Sequence, residues 1–427
     1  MGTRLHRAWL VAGVTFLVLL ASAAFRSSVG LMLVPLEEEF GWSRSATSLA
    51  VSLNLVLYGV TAPFAAALME RFGIRRIVVL ALGLMAVGSG LTVLMTSQWQ
   101  LQVLWGLCLG LGTGATALVL GALVAGRWFT RRRGLVVGWL GAAWATGQLV
   151  FLPLIAWTIE MHGWRSASLG IALACLALVP LVALVLADRP ADVGLRPYGA
   201  TGELSTDETR RNTTGSGWSA ARSALTVLRE AAGSRAFWLL AGTFFVCGWT
   251  TNGIVSSHFV PTTHDHGMAA TTAAGLLAVV GVFDIAGTLG SGWLSDRFDP
   301  RILLAAYYAL RGVALLSLPL ILGPQVEPPL LVVMMLFGLD WVATVPPTVV
   351  LCQRIFGTER GPIVFGWVFA SHMVGAAVAA AVTGALRQAQ GDYATSWFLA
   401  AALALAASLA SLAIPAARGR IHQPTPA

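Results

Sequence analysis

Apolar residues come in long runs along this chain, and polar ones are confined to short intervals between them. Stretches near 9–34, 45–69, 76–96, 100–125, 135–158 and 165–187 each reach the ~20 residues a helix needs to cross a bilayer. After a polar interval the pattern resumes near 236–260, 270–293, 301–323, 328–352, 362–387 and 394–416. Six runs, a gap and six more predict an all-α membrane protein with twelve transmembrane helices in two pseudo-symmetric six-helix bundles. The gap holds "DRPADVGLRPYGATGELSTDETRRNTTGSG", rich in Pro, Gly, Thr and charge, with no sustained apolar period. Such composition reads as a linker. The division is then an N-terminal bundle over 1–187, a linker over 188–235 and a C-terminal bundle over 236–427. A short amphipathic helix around Ser219–Arg229 is expected to lie along the membrane surface.

Composition agrees with this picture. Hydrophobic residues make up 57% of the 427 and charged residues 11%, against about 25% charged in soluble domains. The net charge of +8 and pI near 10.1 suggest nucleic acid at first sight, but charge position argues otherwise. The chain has no lysine, and its 27 basic residues are arginines gathered in alternate short loops. One side takes Arg4 and Arg7, Arg71 to Arg76, Arg127 to Arg133, the linker, and the loops at Arg297, Arg354 and Arg418. The other has only Arg44, Arg165 and Arg387, while Arg26 and Arg311 fall inside spans. Because short cytoplasmic loops carry the excess of basic residues, both termini and the linker are expected in the cytoplasm, in a multi-pass inner-membrane protein. Arg4, Arg7 and Ala21-Ser22-Ala23 imitate a cleavable signal, yet the apolar run resumes through Val34, so retention is expected. Cys108, Cys175, Cys247 and Cys352 lack CxxC spacing, so neither a disulfide frame nor a zinc site is indicated.

The halves also repeat. "ALMERFGIRR" follows the second run and "GWLSDRFDPR" the eighth, each opening a basic turn with an acid–arginine pair, Glu70-Arg71 and Asp296-Arg297. These turns resemble the loop signature Gly-x-x-x-Asp-Arg-x-Gly-x-Arg-Arg of the major facilitator superfamily. The second copy keeps Gly292, Asp296, Arg297 and Arg301. The first has Ala66 and Glu70 in place of Gly and Asp, but keeps Arg71, Gly73, Arg75 and Arg76. The resemblance implies a gating latch at Glu70, Arg71, Arg75, Asp296, Arg297 and Arg301. "RSSVGLMLVPLEEEFGWSRSATSLAVSLNLVLYG" further resembles the start of the monocarboxylate-porter and oxalate/formate-antiporter branch, with a basic residue where Arg26 stands. "GVFDIAGTLGSG" resembles that branch's Asp-x-x-x-Arg stretch, with Asp284 as the acid and Thr288 where the arginine belongs.

Four formally charged residues lie well inside spans: Arg26, Asp284, Arg311 and Asp340. An ionisable group in lipid costs ~2.5 kcal/mol or more, so each is expected to face the interior and have a partner or a function. With a rise of ~1.5 Å per residue, Arg311 and Asp284 fall at similar depth on sequential antiparallel helices. They are expected to pair structurally, or to exchange a proton at Asp284 while Arg311 is freed toward substrate. Asp340 and His372 sit near mid-span and read as a proton relay or as a packing hydrogen bond. Pro346-Pro347 predicts a kink, with a gate hinge as its functional reading. For Arg26 no acid lies within the first six runs. Glu37 to Glu39 and Glu160 read as loop residues, so its counter-ion is expected from the other half, from lipid headgroups or from an anionic substrate.

Neutral polar pairs at i,i+4 share a helix face: Asn54 with Tyr58, Trp144 with Gln148, Asn252 with Ser256. They are expected to line a cavity or to join helices. His258, His264 and His266 read as outer-loop residues, and Gly106, Gly110 and Gly114 as a close-packing stripe. No HExxH, Walker A or GxSxG is present, so neither an enzyme nor a cofactor is expected. The reading is a proton-coupled symporter of a small organic anion of the monocarboxylate type, working by alternating access. Its partners are the substrate, protons and membrane lipids, with no nucleic acid. Transport of a drug or of a neutral or cationic metabolite, with Asp340 binding a cation, stands beside it, as does a non-transporting sensor.

Overall fold

The computed structural model describes residues 6–200, 217–295, 297–357 and 360–415. Its helical rods follow the apolar runs. α1 spans Arg7–Phe40, α2 Arg44–Phe72, α3 Ile74–Thr92 and α4 Gln98–Trp128. The helical string Arg133–Val185 is two spans, because Gly163 adopts φ 80° and ψ 163° inside it. That positive φ is open to glycine at little cost, and it separates α5 (133–162) from α6 (164–185). In the second half α7 runs Arg235–Gly248, a π-helical turn Trp249–Gly253, then Val255–Asp265. α8 is Ala270–Ser295, α9 Pro300–Ile321, α10 Pro328–Phe356, α11 Gly361–Gln390 and α12 Ala394–Leu412. By length and composition nine described helices suffice to cross a bilayer, or ten with the bent pair at α7. The expected amphipathic helix is present as Gly217–Ala232.

Two corrections concern helix ends. Glu37, Glu38 and Glu39 are not loop residues but the last turns of α1, which continues to Phe40. His258 and His264 are likewise not in a loop, since α7 continues to Asp265, and His258 is fully buried, its Nε2 3.1 Å from the Ala380 carbonyl.

Within the first half α2 packs closely on α4 through the expected small-residue stripe. A Cβ placed on Gly110 would stand 3.2 Å from the Asn54 Cα, so a larger residue there separates the helices. In the second half α9 packs on α12, and α7 on α11. The halves meet where α2 lies on α11, α8 on the α5–α6 pair, and α1 on the last segment of α7.

These junctions include several on the side away from the termini. The Ser52 hydroxyl donates to the Ala377 carbonyl at 2.7 Å, and the Thr271 N–H to Glu160 at 3.0 Å. The Ser45 N–H reaches Gln388 at 3.4 Å, and Gly30 lies against the Ser256 carbonyl. Glu37 pairs with Arg44 at 2.6 Å and Asp265 with Arg387 at 2.7 Å on that same side. On the terminus side the amphipathic helix packs on α2, α7 and α11. There Arg360 pairs with Glu230 at 2.6 Å and the Trp367 indole donates to the Ala224 carbonyl at 3.0 Å.

Candidate substrate site between the two halves

Halfway along α1, Arg26 faces the second half. Its Nη2 donates loosely, at 3.4 Å, to the Asn252 Oδ1 on α7, and its guanidinium lies 4.1 Å above the centre of the Tyr58 ring on α2. The stack suits a planar cation over a π face. Asn252 is presented by the π-helical turn of α7, a distortion frequent at functional sites, and the Asn252 carbonyl accepts from the Ser257 hydroxyl at 3.0 Å. On its other side the Asn252 amide nitrogen stands 3.0 Å from the His372 Nε2 on α11. The His372 ring is stacked on Phe369 at 5.6 Å between centroids.

A small cavity opens beside Arg26. Arg26, Ser27 and Asn54 line it from the first half, and Asn252, Ser256, Ser257 and Trp341 from the second. Asn54 also donates to the Trp105 carbonyl at 2.8 Å, inside the π-helical stretch Gln102–Leu109 of α4. Its amide is therefore partly committed to holding α4. Gln148 was expected here as well; its side chain lies outside the described residues.

The other intramembrane charges form a separate centre. Arg311 does not pair with Asp284. Its Nε donates to Asp340 at 2.5 Å and its Nη2 to the Asp340 carbonyl at 2.6 Å, while Nη1 reaches the Cys247 thiol and the Thr250 hydroxyl at 3.1 and 3.2 Å. Asp284 accepts from the Thr288 hydroxyl at 3.0 Å and from the Val342 N–H at 3.1 Å. Among the described residues Asp340 pairs with Arg311 and His372 with Asn252, and no direct hydrogen bond joins Asp340 to His372.

The cause is the break in α10. Its helix is interrupted between Asp340 and Val345 just ahead of Pro346-Pro347. A proline cannot donate to the carbonyl four residues back. Pro347 thus leaves the Ala343 carbonyl without its helical donor, and the Ser291 hydroxyl fills the place at 2.5 Å. Arg311, Asp284 and Ser291 together satisfy the backbone groups that this break exposes.

A family model described as Major Facilitator Superfamily matches residues 15–380. The chain belongs to the Major Facilitator Superfamily. Monocarboxylate transporter 11 of Mus musculus is 28% identical over 425 residues, covering 96% of this chain and 88% of that one. A gallate transporter of Pseudomonas putida is 28% identical over 331 residues, 73% of this chain and 70% of its own. Among solved structures, a D-xylose-proton symporter superposes with a TM-score of 0.71 at 16% identity, over 96% of this chain and 99% of that one. The fold is therefore that of the superfamily, twelve transmembrane helices in two halves, and the chain is a membrane transporter rather than an enzyme.

The two superfamily-like turns have partners that the motif does not name. Around Gly73 the acid that meets the α3 N-terminus is Asp188, which accepts from the Arg75 N–H at 2.9 Å, while the Arg75 side chain reaches the Ala183 carbonyl at 3.4 Å. Arg71 lies over the Phe72 ring at 5.2 Å, and the Glu70 side chain is outside the described residues. In the second turn Asp299 caps α9 and binds Arg301 at 2.6 Å, while Arg297 lies over Trp293 at 4.1 Å. Asp296 is outside the described residues. Of the cavity wall, Ser27, Ser257, Trp341 and the aliphatic residues escaped the sequence reading. Ser257 falls on the face of Asn252 only because the π-helical turn shifts the helical phase.

Proposed function

We propose that this superfamily member is a secondary active transporter of a small organic monocarboxylate, driven by symport with protons and working by alternating access. The observation that carries the reading is Arg26: a guanidinium at the seam between the halves, bordering a cavity lined by amides, hydroxyls and aliphatic side chains. Arginine matches a carboxylate with parallel N–H donors, and Asn252, Ser256 and Ser257 add neutral donors from the facing bundle. The names of the monocarboxylate and gallate transporters support a carboxylate cargo. A cationic substrate finds less support, since Asp340 is bound to Arg311 and Asp284 to Thr288 and Val342.

In this reading the units are the bundles 1–187 and 236–427, joined by a linker over 188–235. The terminus side is cytoplasmic in an inner membrane, and the turns at Arg71, Arg75, Arg297 and Arg301 gate that side. Protons are exchanged by ionisable groups among Asp284, Asp340 and His372.

The test is uptake of labelled acetate, lactate, benzoate and gallate into proteoliposomes. Arg26→Ala is expected to lower uptake on the order of 10- to 100-fold, the loss of one charge-assisted contact of ~1.5–3 kcal/mol, while the protein still inserts. Wild-type uptake by that variant overturns the assignment.

A further inference from the structure

The chain Arg26–Asn252–His372 has a property that neither end has alone. Arginine carries donors only, so the atom Asn252 turns toward Arg26 must be its oxygen, as found at 3.4 Å. That choice leaves the amide nitrogen, also a donor, facing the His372 Nε2 at 3.0 Å. A donor needs an acceptor, so Nε2 carries no proton and the imidazole is neutral. A protonated imidazole has donors on both nitrogens. Its Nε2–H would meet the Asn252 NH₂ head-on, and the amide would have to turn over. Turning brings the NH₂ group to Arg26, where donor again meets donor. The hydrogen bond from Arg26 to Asn252 and a proton on the His372 Nε2 therefore exclude each other.

Local structure lets the amide move and keeps the ring in place. The His372 ring is stacked on Phe369 with an interplanar angle of 7° and leans on Phe244 at 5.0 Å. Asn252 borders the cavity, and its terminal torsion is broad and two-fold. The charged groups acting on His372 are Arg26 from α1 and Arg311 from α9, the latter paired with Asp340 of α10. Among other ionisable groups on the elements packed against α11, α2 contributes Tyr58, α7 Cys247 and His258, and α10 Cys352. Glu230 of the amphipathic helix and Arg354 of α10 stand toward the terminus-side end of α11.

We propose that Asn252 and His372 form a proton-controlled catch on Arg26, in which a proton on His372 turns the Asn252 amide and releases the guanidinium to the anion. The proposal rests on the reading of Arg26 as the partner of the carboxylate. His372 and Asn252 are positioning residues in it. Coupling between two bound species is reciprocal: an anion that draws Arg26 away from Asn252 favours the proton on His372 by the factor with which the proton favours the anion. Anion and proton are then carried in the same direction.

The experiment uses the full-length protein in proteoliposomes with labelled benzoate, read as pH-gradient-driven accumulation and as equilibrium exchange without a gradient. His372→Gln is expected to keep exchange within about 3-fold of wild type but to lose accumulation by about 10-fold or more, with exchange flat between about pH 5.5 and 8. Asn252→Asp, which holds Arg26 by charge whatever the state of His372, is expected to lower exchange about 10-fold at every pH, as for one buried charged pair. In weakly buffered detergent solution wild type takes up protons on benzoate addition and His372→Gln does not, a difference that a merely structural histidine would not produce. Accumulation and a pH profile like wild type in His372→Gln overturn the catch and leave the anion reading standing. If His372→Gln fails to fold, His372→Asn decides by the same criteria. If wild type neither exchanges nor accumulates any of the four labelled carboxylates, the anion reading falls and takes the catch with it.

Discussion

Arg26 and Arg311 are the same group inside spans of the two halves, and their surroundings differ in kind. Arg311 is fully buried and surrounded by one carboxylate, two backbone carbonyls, a thiol and a hydroxyl, all on α7 and α10 of its own half. Arg26 keeps solvent-accessible surface because it borders the cavity, and its contacts to Tyr58 and Asn252 bring a ring from one half and an amide from the other. Charge does not separate the two arginines; what distinguishes them is remaining exposure and whether the surrounding groups belong to one half or to both. In the proposed alternating access, a group held within one half travels with it, and a group contacting both is rearranged when the halves move.

The contrast predicts that damage at the two arginines differs in kind. Asp340→Ala leaves Arg311 buried beside an empty place and is expected to cost about 3–5 kcal/mol, as for other broken buried pairs. Thermal unfolding in detergent should show this, whereas Arg26→Met should change stability little and uptake strongly. Should Asp340→Ala be as stable as wild type, the centre is not structural. A smaller effect is expected at the break of α10. Ser291→Ala strips the Ala343 carbonyl of its donor and should cost about 1–3 kcal/mol. Adding Pro347→Ala, which restores a backbone N–H, should recover most of it, and failure to recover would show that the carbonyl was satisfied in another way.

The smallest effect lies at the second basic turn. Hydrogen bonds from Arg301 hold the Asp299 carboxyl below its ordinary range. A depressed carboxyl stabilises the fold above its unfolded value, and the contribution is lost as pH falls through the folded one. Asp299→Asn should therefore cost no more than about 0.5–1 kcal/mol at neutral pH, after solvent screening. The gap to wild type should close progressively as pH falls below about 4, and a gap unchanged at acid pH would exclude the ion pair as its source.

Much of the scaffold was legible in the chain because a bilayer imposes a length and a polarity on each helix. All twelve apolar runs overlap helices of the structure, and Pro346-Pro347 marked the break in α10. Pairing was less legible. Arg311 was matched with Asp284 on depth, but depth fixes only the coordinate along a helix, and rotation about the axis sets which neighbour is faced. The interruption of α10 adds what no count along the chain shows, since it turns Asp340 and two carbonyls toward Arg311 and offers the Val342 N–H to Asp284. The basic turns behave alike: the acids that cap the following helices, Asp188 and Asp299, come from outside the acid–arginine pairs that drew attention.

What the sequence determined by itself was the kind of object: helices crossing lipid, their number and the duplicated arrangement, because hydrophobic transfer acts on each segment separately and needs no partner. It also singled out Arg26 as a charge whose first-half neighbours supply no intramembrane acid. Tertiary structure alone decided who meets whom. Hydrogen bonds and ion pairs act over a few ångströms, so the contacts from Arg26 to Asn252 and from Asn252 to His372 exist only once three helices from two halves have packed together.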